Sequence, residues 1–194
     1  MKHIIIAGSP RAGKTTLSRT IRILLHSLYS NGYVYNHYKL DSVKRAVFDF
    51  FKPKNNDWHT ASKLVASIIR KVCDDNAQES TENEFFIFDT PHLYPEDLVS
   101  FSKQDFIIIF LGYTDVSVES KVASILLHDA PTCWTHKLTR EKLERLVEGN
   151  IEFSIEIKRQ CEKYDIPYFD VSHDMSSALN DAKEYILKMI SQGE

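Results

Sequence analysis

The stretch IIIAGSPRAGKTTLSR, residues 4–19, decides the fold of this chain. Its first four residues are apolar without polar alternation, which predicts a strand that is buried on both faces. Gly8 ends that run, Gly13-Lys14-Thr15 follows five residues later, and an amphipathic helical pattern begins immediately afterwards. The stretch therefore predicts a strand, a glycine-bounded loop and a helix in direct succession.

The loop in this stretch matches the pattern G-x-x-x-x-G-K-[ST], which is typical of phosphate-binding loops. Glycine allows backbone torsions and close approach that a side chain would block. Successive amide N–H groups can then surround an anion at a helix N-terminus, whose dipole favours negative charge. We therefore predict a nucleoside triphosphate site in which the lysine reaches the β- and γ-phosphates. The predicted nucleotide-binding residues of the loop are Gly8, Ser9, Pro10, Arg11, Ala12, Gly13, Lys14, Thr15 and Thr16.

A carboxylate for Mg²⁺ is predicted at the end of another apolar run, FFIFD at residues 85–89. Proteins with this kind of loop hold such a carboxylate at the carboxyl end of a buried strand, directly or through water. An aspartate that only caps the turn before Pro91 is the alternative. With the loop present we favour the metal role, and we predict Thr15 and Asp89 as the magnesium residues.

Length and composition fit an ordinary soluble protein of 194 residues, with 43% hydrophobic and 26% charged residues. We predict one domain over residues 1–194, because the sequence contains no linker, repeat or low-complexity segment. The apolar run after Met1 is too short for a signal peptide, and no stretch has membrane-spanning length, so no membrane partner is expected. Three widely spaced cysteines do not predict a disulfide framework, and the cytoplasm is the expected location.

Charge is distributed unevenly along the chain. The net charge of −3 argues against a protein that coats nucleic acid, and we expect no nucleic-acid partner. Residues 1–60 hold 10 Lys and Arg against 3 Asp and Glu, whereas residues 61–194 hold 14 against 24. A basic first third fits phosphate handling, although a chance imbalance on a solvated surface is by itself the simpler explanation.

Apolar patterning predicts five strands that alternate with helices. Strands that alternate with helices form a parallel sheet covered on both faces, so we predict an α/β fold. The predicted strands are KHIIIAG, YVYNHYKL, EFFIFD, DFIIIFLG and IPYFDVS. The predicted helices cover residues 17–28, 43–50, 61–72, 116–128, 140–163 and 175–190, and Asn31-Gly32 closes the first of them.

The order of these parts resembles the small-molecule P-loop kinases, the group that contains adenylate, shikimate and gluconate kinases. The resemblance covers nearly all of the chain, and the phosphate loop is its one highly specific motif. It implies a three-layer P-loop NTPase fold with a five-stranded parallel sheet, flanking helices and a lid segment near residues 129–140. It also implies ATP and Mg²⁺ as cofactors and transfer of the γ-phosphoryl group to a small acceptor.

Asp41 follows the second predicted strand in the segment KLDSVKR. It matches an aspartate that, in shikimate-kinase-like proteins, orients the acceptor hydroxyl and can act as its base. Asp-Ser before an apolar periodic run is also a good helix N-cap, and the two roles are compatible. Asp41, Lys14 and Arg140 are the predicted catalytic residues. Lys44 and Arg45, one turn further on, are better explained as solvated helix charges than as acceptor contacts.

A kinase lid closes over the phosphates and brings cations to the transferring group. In DAPTCWTHKLTREKLERL, which follows the fourth strand, Arg140 is the first candidate for that role, Lys137 the second and Arg145 the third. The segment lacks the compact arginine-proline lid of shikimate kinases. Arg159 matches a second nucleotide-facing arginine in these kinases, although an ion pair with a neighbouring glutamate explains it at least as well.

Several functions are compatible with a triphosphate-binding loop, and a small-molecule kinase is the one that we predict. The alternative is a catalytically silent ATP-binding regulatory or partner-binding domain, which would also keep Lys14 and Thr15. A GTPase is disfavoured because no N-K-x-D or T-K-x-D guanine motif occurs, and a polynucleotide kinase because residues 61–194 are acidic. The sequence specifies neither the acceptor nor the oligomeric state.

Overall fold

The computed structural model describes residues 2–29, 34–43, 46, 58–79, 84–91, 93–129 and 133–192. Lys44, Arg45, the turn Asn31-Gly32 and most of the helix predicted over residues 43–50 lie outside the described residues. The strands are β1 (His3–Gly8), β2 (Val34–Lys39), β3 (Glu84–Asp89), β4 (Phe106–Gly112) and β5 (Tyr168–Asp170). The helices are α1 (Lys14–Leu28), α2 (Trp58–Glu79), α3 (Val118–His128), α4 (Arg140–Tyr164) and α5 (Met175–Ser191), with short 3-10 helices at Pro95–Leu98 and Trp134–Lys137.

The five strands form one parallel sheet in the order β2-β3-β1-β4-β5, which confirms the predicted α/β fold. β1 is central, and its Ile6 pairs with Asp89 of β3 while its Gly8 pairs with Leu111 of β4. Lys39, the last residue of β2, also pairs with Asp89. The carboxyl ends of β1, β2 and β3 therefore meet at one edge, where open α/β sheets bind their ligands.

β1 is buried on both faces because helices cover both sides of the sheet. Its side chains alternate between two apolar layers: Ile4 and Ile6 pack with α1 and α5, whereas Ile5 and Ala7 pack with α2 and α4. Each buried isoleucine contributes roughly 1.5–3 kcal/mol to the free energy of unfolding. The strand that leads into the phosphate loop is thus held firmly from both sides.

None of the helices in the described ranges combines the length and the apolar character that crossing a bilayer requires.

Candidate functional site

The loop between β1 and α1 contains three residues with left-handed backbone torsions: Gly8 (φ 124°), Arg11 (φ 63°) and Gly13 (φ 87°). A Cβ on Gly8 would lie 1.8 Å from the carbonyl oxygen of Leu111, so only glycine fits against β4. Gly13 caps α1, and a Cβ there would lie 2.5 Å from Cε of Met175. The two glycines therefore fix where the loop leaves β1 and where α1 begins, as a phosphate site at a helix N-terminus requires.

Lys14 is a buried cation in this loop. Its side chain is 7% exposed, and its Nζ donates to the carbonyl oxygen of Ser9 at 2.7 Å. Burial lowers the pKa of Lys14 to about 8, although the nearby carboxylates of Asp89 and Asp41 favour the charged form. At neutral pH the ammonium form still predominates, and phosphate oxygens would be stronger partners for it than a neutral carbonyl.

Asp89 provides a buried carboxylate beside the loop. It is 1% exposed, and its Oδ2 accepts a 2.5 Å hydrogen bond from Oγ1 of Thr15. Its Oδ1 is also buried and has no hydrogen-bond partner among the described residues. Nε2 of His37 lies 3.8 Å from Oδ2, but burial lowers the pKa of His37, so at neutral pH the imidazole does not neutralise the carboxylate.

The pair of Thr15 and Asp89 fits a magnesium ion. Mg²⁺ prefers hard oxygen ligands and usually takes one or two from the protein while phosphates and waters supply the rest. A carboxylate oxygen that is buried without a partner costs free energy in the empty protein, and a cation would recover that cost. No group of three or more His, Cys, Asp or Glu that could hold a metal occurs within the described ranges.

A buried polar contact with α4 supports the first half of the loop. Oγ of Ser9 lies 2.6 Å from Oγ of Ser154, which in turn donates to the carbonyl oxygen of Asn150 at 2.8 Å. The hydroxyl of Tyr113 donates to the carbonyl oxygen of Pro10 at 2.9 Å. Sequence reasoning missed these supports, and the only available signal was a serine at a buried position of a long amphipathic helix.

Arg11 connects the loop to the predicted lid segment. Its Nη1 lies 2.7 Å from Oδ1 of Asp129, and its Nη2 donates to Sγ of Cys133 at 2.8 Å. The guanidinium carbon is 5.8 Å from the ring centroid of Trp134. Thr135 donates to the second carboxylate oxygen of Asp129 at 2.6 Å. Asp129, Cys133 and Trp134 of the lid segment are therefore gathered around the arginine side chain, whereas residues 130–132 lie outside the described residues.

Lys121 is a second buried cation, which the sequence analysis did not identify. It is 8% exposed, and its Nζ donates to the carbonyl oxygen of Arg11 at 3.2 Å and lies 4.0 Å from the ring centroid of Tyr113. Burial lowers the pKa of Lys121, and the charge of Arg11 lowers it further. Helical spacing was an available signal, because Lys121 lies four residues before Ile125 on the buried face of α3.

Two cavities meet at the loop. The first, here called the large cleft, has a volume of about 1000 Å³ and lies on the side of Asp41 and α4. The second, the small cavity, has a volume of about 340 Å³ and lies on the side of α3 and Met175. Arg11, Lys14 and Thr15 line both of them. Further side chains that line the large cleft are the carboxylates Asp41, Asp89, Glu152 and Glu156 and the aromatic rings Trp58, Tyr94, Trp134 and Phe153.

The structure brings the predicted loop and metal residues together with Asp41, because Lys14, Thr15, Asp41 and Asp89 all line the large cleft. Asp41 is exposed and begins a helical segment, so its position allows both the acceptor role and the cap role. These four residues come from the ends of β1, β2 and β3, as the parallel register requires.

The predicted arginines of α4 lie apart from the loop. Arg140 is 69% exposed, and its Nε pairs with Glu144 at 2.8 Å. Arg159 pairs with Glu156 at 2.7 Å on the surface of the same helix. Neither arginine lines the large cleft or the small cavity.

The two lower-ranked lid candidates are also on the surface. Arg145 does line the large cleft, although its Nη2 pairs with Glu141 at 2.6 Å. Lys137 is exposed on the 3-10 helix before α4 and lines neither cavity. Among the described residues, the loop itself carries the cations Arg11 and Lys14, and Lys121 contacts it from α3, whereas the α4 arginines do not.

Comparison with solved structures identifies P-loop kinase folds. Shikimate kinase from Acinetobacter baumannii in complex with shikimate is 16% identical and superposes with a TM-score of 0.54, covering 100% of this chain and 95% of that one. Kti12 from Chaetomium thermophilum in complex with ADP-AlF3 is 18% identical, with a TM-score of 0.52 and coverage of 96% and 98%. A gluconokinase from Sinorhizobium meliloti is 9% identical, with a TM-score of 0.51 and coverage of 96% of both chains.

No protein-family model matches the sequence, and no curated protein matches it either. At identities below one fifth, the structural likeness shows the fold and nothing finer. The chain therefore has the three-layer fold of the P-loop small-molecule kinases, and its chemistry has to be argued from its own residues.

Proposed function

We propose that this chain is an ATP-dependent kinase that transfers the γ-phosphoryl group of ATP·Mg²⁺ to a small molecule bound in the large cleft. The observation that carries the proposal is that Lys14 and Thr15 line both the large cleft and the small cavity. A phosphate loop between two cavities supports a reaction between two bound molecules, whereas a nucleotide-dependent switch needs only one. The fold shared with shikimate kinase and gluconokinase supports the same proposal.

Each residue of the site has a separate role in phosphoryl transfer. The loop and Lys14 hold the phosphates and offset their charge, while Thr15 and Asp89 would hold Mg²⁺. Bound ATP·Mg²⁺ would supply the phosphoryl group. The acceptor oxygen forms a new P–O bond to this group, and the bond between the group and ADP breaks and leaves its electron pair on ADP. Asp41 orients the acceptor hydroxyl and takes its proton. Positioning and charge stabilisation supply most of the catalysis in such reactions.

The lining of the large cleft supports a ring-bearing acceptor. Its volume of about 1000 Å³ is at the upper end for small-molecule sites. The ring of Trp134 lines the cleft and is 45% exposed, so it offers a stacking surface, and the carboxylates of Asp41 and Glu152 accept hydrogen bonds from hydroxyl or amino groups. We therefore expect an acceptor that carries hydroxyl groups on a ring system, such as a nucleoside, ahead of a small hydroxy acid.

One observation favours the alternative, a catalytically silent ATP-binding regulatory domain. Arg140 and Arg159, the two predicted nucleotide-facing arginines of α4, are each paired with a glutamate of the same helix. A domain that binds ATP without transferring phosphate has no need for cations that close over the γ-phosphate. The alternative would keep the loop, Lys14 and the magnesium residues.

The test is ADP release in the presence of Mg²⁺ against nucleosides, nucleoside monophosphates, sugar acids and hydroxy acids. The Lys14→Ala variant serves as the blank. Asp41→Asn should lower kcat by about 10²–10⁴-fold, because it removes the group that takes the proton, while the affinity for ATP stays within about threefold. Asp75→Asn is the matched control, since Asp75 pairs with Lys71 on the surface of α2, away from the loop.

Acceptor-dependent ADP release that is lost in Lys14→Ala would support the kinase and identify its substrate class. Tight ATP binding without turnover on any acceptor would contradict phosphoryl transfer and favour the silent domain. Normal turnover by Asp41→Asn would refute the role given to Asp41 and leave the cap role as its explanation.

A further inference from the structure

Arg11 lies at the point where a phosphoryl group would pass between the two cavities, because it lines both of them together with Lys14. Its charge also acts on the neighbouring cations: after burial, Arg11 is a further cause of the lowered pKa of Lys14 and of Lys121. The small cavity is lined by three cations, Arg11, Lys14 and Lys121, and by one carboxylate, Asp129, which pairs with Arg11. An anion that binds in this cavity is therefore attracted by more positive than negative charge.

The backbone conformation of Arg11 is strained, so the presence of an arginine rather than a glycine at this position needs a physical explanation. Its φ of 63° lies in the left-handed region, which glycine or asparagine adopts more easily. The conformation is held by Lys121, which donates to the carbonyl oxygen, and by Asp129, which pairs with the guanidinium. Strained residues that their surroundings hold in place cluster at functional sites. The side chain of Arg11 therefore has a role that glycine would not fill.

Phosphoryl transfer commonly uses a cation beyond the loop lysine to stabilise charge on the transferred group. The arginines expected to do so from the lid, Arg140 and Arg159, pair with glutamates on the surface of α4. Among the described arginines, Arg11 is the one that lines both cavities. Its side chain is 29% exposed, so it is accessible from the cleft without being fully solvated.

We propose that Arg11 contacts the γ-phosphate of bound ATP and stays on the phosphoryl group during transfer. This inference rests on the proposed function. The guanidinium that now pairs with Asp129 and donates to Cys133 turns to two phosphate oxygens, which match its planar pair of donors. Asp129 and Cys133 then lose their contacts with the guanidinium.

The test compares the affinities for ADP and for the non-hydrolysable β,γ-imido analogue of ATP, measured by calorimetry with Mg²⁺. Arg11→Gly fits the left-handed backbone, and Arg11→Asn is a second variant that tolerates it. Each should weaken binding of the imido analogue by about 10- to 100-fold, the loss expected for a charge-assisted hydrogen bond to phosphate. Binding of ADP should change by less than about threefold. Arg70→Gln, an exposed arginine on α2, is the control.

The outcomes separate this inference from the proposed function. A loss confined to the imido analogue supports Arg11 as the γ-phosphate cation, even where no acceptor is phosphorylated and the kinase proposal fails. Equal weakening of both nucleotides, or no change in either, overturns the inference while leaving the kinase proposal intact. Failure of the wild-type protein to bind either nucleotide overturns both.

Discussion

Asp89→Asn should destabilise the nucleotide-free protein while it removes the proposed magnesium site. The amide keeps the hydrogen bond from Thr15 at the position of Oδ2. Its NH2 group takes the place of the buried Oδ1, which has no hydrogen-bond partner among the described residues, so an unpaired donor replaces an unpaired acceptor and the cost of about 1–3 kcal/mol remains. The substitution also loses the attraction to Lys14, and removal of the buried negative charge offsets only part of that loss. We expect a net decrease in the free energy of unfolding of about 1 kcal/mol. For a chain of 194 residues this lowers Tm by about 2–4 °C.

The assay is thermal unfolding of wild type and variant, alone and with ADP at 100 times its Kd, in Mg²⁺ or in EDTA. Wild type with Mg²⁺ should gain about 2.7 kcal/mol, whereas in EDTA the gain should be smaller. Asp89→Asn should respond to ADP equally in Mg²⁺ and in EDTA. Asp75→Asn, on the surface of α2, should behave as wild type. A variant that melts above wild type, or that keeps the magnesium-dependent shift, would refute the reasoning.

Three further outcomes are expected. Burial lowers the pKa of His3 to about 4, so the neutral imidazole stabilises the folded protein above pH ~6.5, and this stabilisation is lost as the pH falls toward 4. In urea unfolding, the free energy of unfolding of wild type should therefore fall by about 2–3 kcal/mol more than that of His3→Gln between pH 7 and pH 4.5. Lys121→Met should weaken ADP binding by about tenfold in calorimetry, because it removes a cation from the small cavity; unchanged affinity would leave Lys121 a structural role through its contacts with Arg11 and Tyr113. Arg140→Ala should leave Tm unchanged, because the ion pair of Arg140 with Glu144 is exposed. A fall in kcat of this variant would then support the predicted lid role of Arg140, and an unchanged kcat would contradict it.

The parts of the fold that sequence reasoning predicted depend on local patterns. β1, the loop and α1 follow from an apolar run, two glycines and a helical repeat within one short stretch. Asp89 could be placed because it closes a buried strand, and the parallel register then aligns it with Ile6 of β1. Burial on both faces makes the strands of such a sheet visible as uninterrupted apolar runs.

The contacts that sequence reasoning missed join distant parts of the chain. Arg11 and Asp129 are 118 residues apart, Ser9 and Ser154 are 145 apart, and Lys121 reaches the carbonyl of Arg11 across 110 residues. A helix in isolation does not reveal which of its polar side chains will be buried by a neighbouring loop.

The assignments of Arg140 and Arg159 followed from their place in a family. The helix itself offers each of them a glutamate three or four residues away, and such neighbours form ion pairs without any tertiary contact. Their roles toward the nucleotide stay predictions.

The contact between Ser9 and Ser154 affects when the loop gains its support during synthesis on the ribosome. The ribosome completes the loop sequence at residue 15, yet the partners of Ser9 in α4 are Asn150 and Ser154, which are added much later. At synthesis rates of about 5–20 residues per second, the gap is roughly 7–30 s. We expect nascent chains to carry the loop throughout that interval without its contact with α4, so that a bound nucleotide stabilises only chains that extend past residue 154.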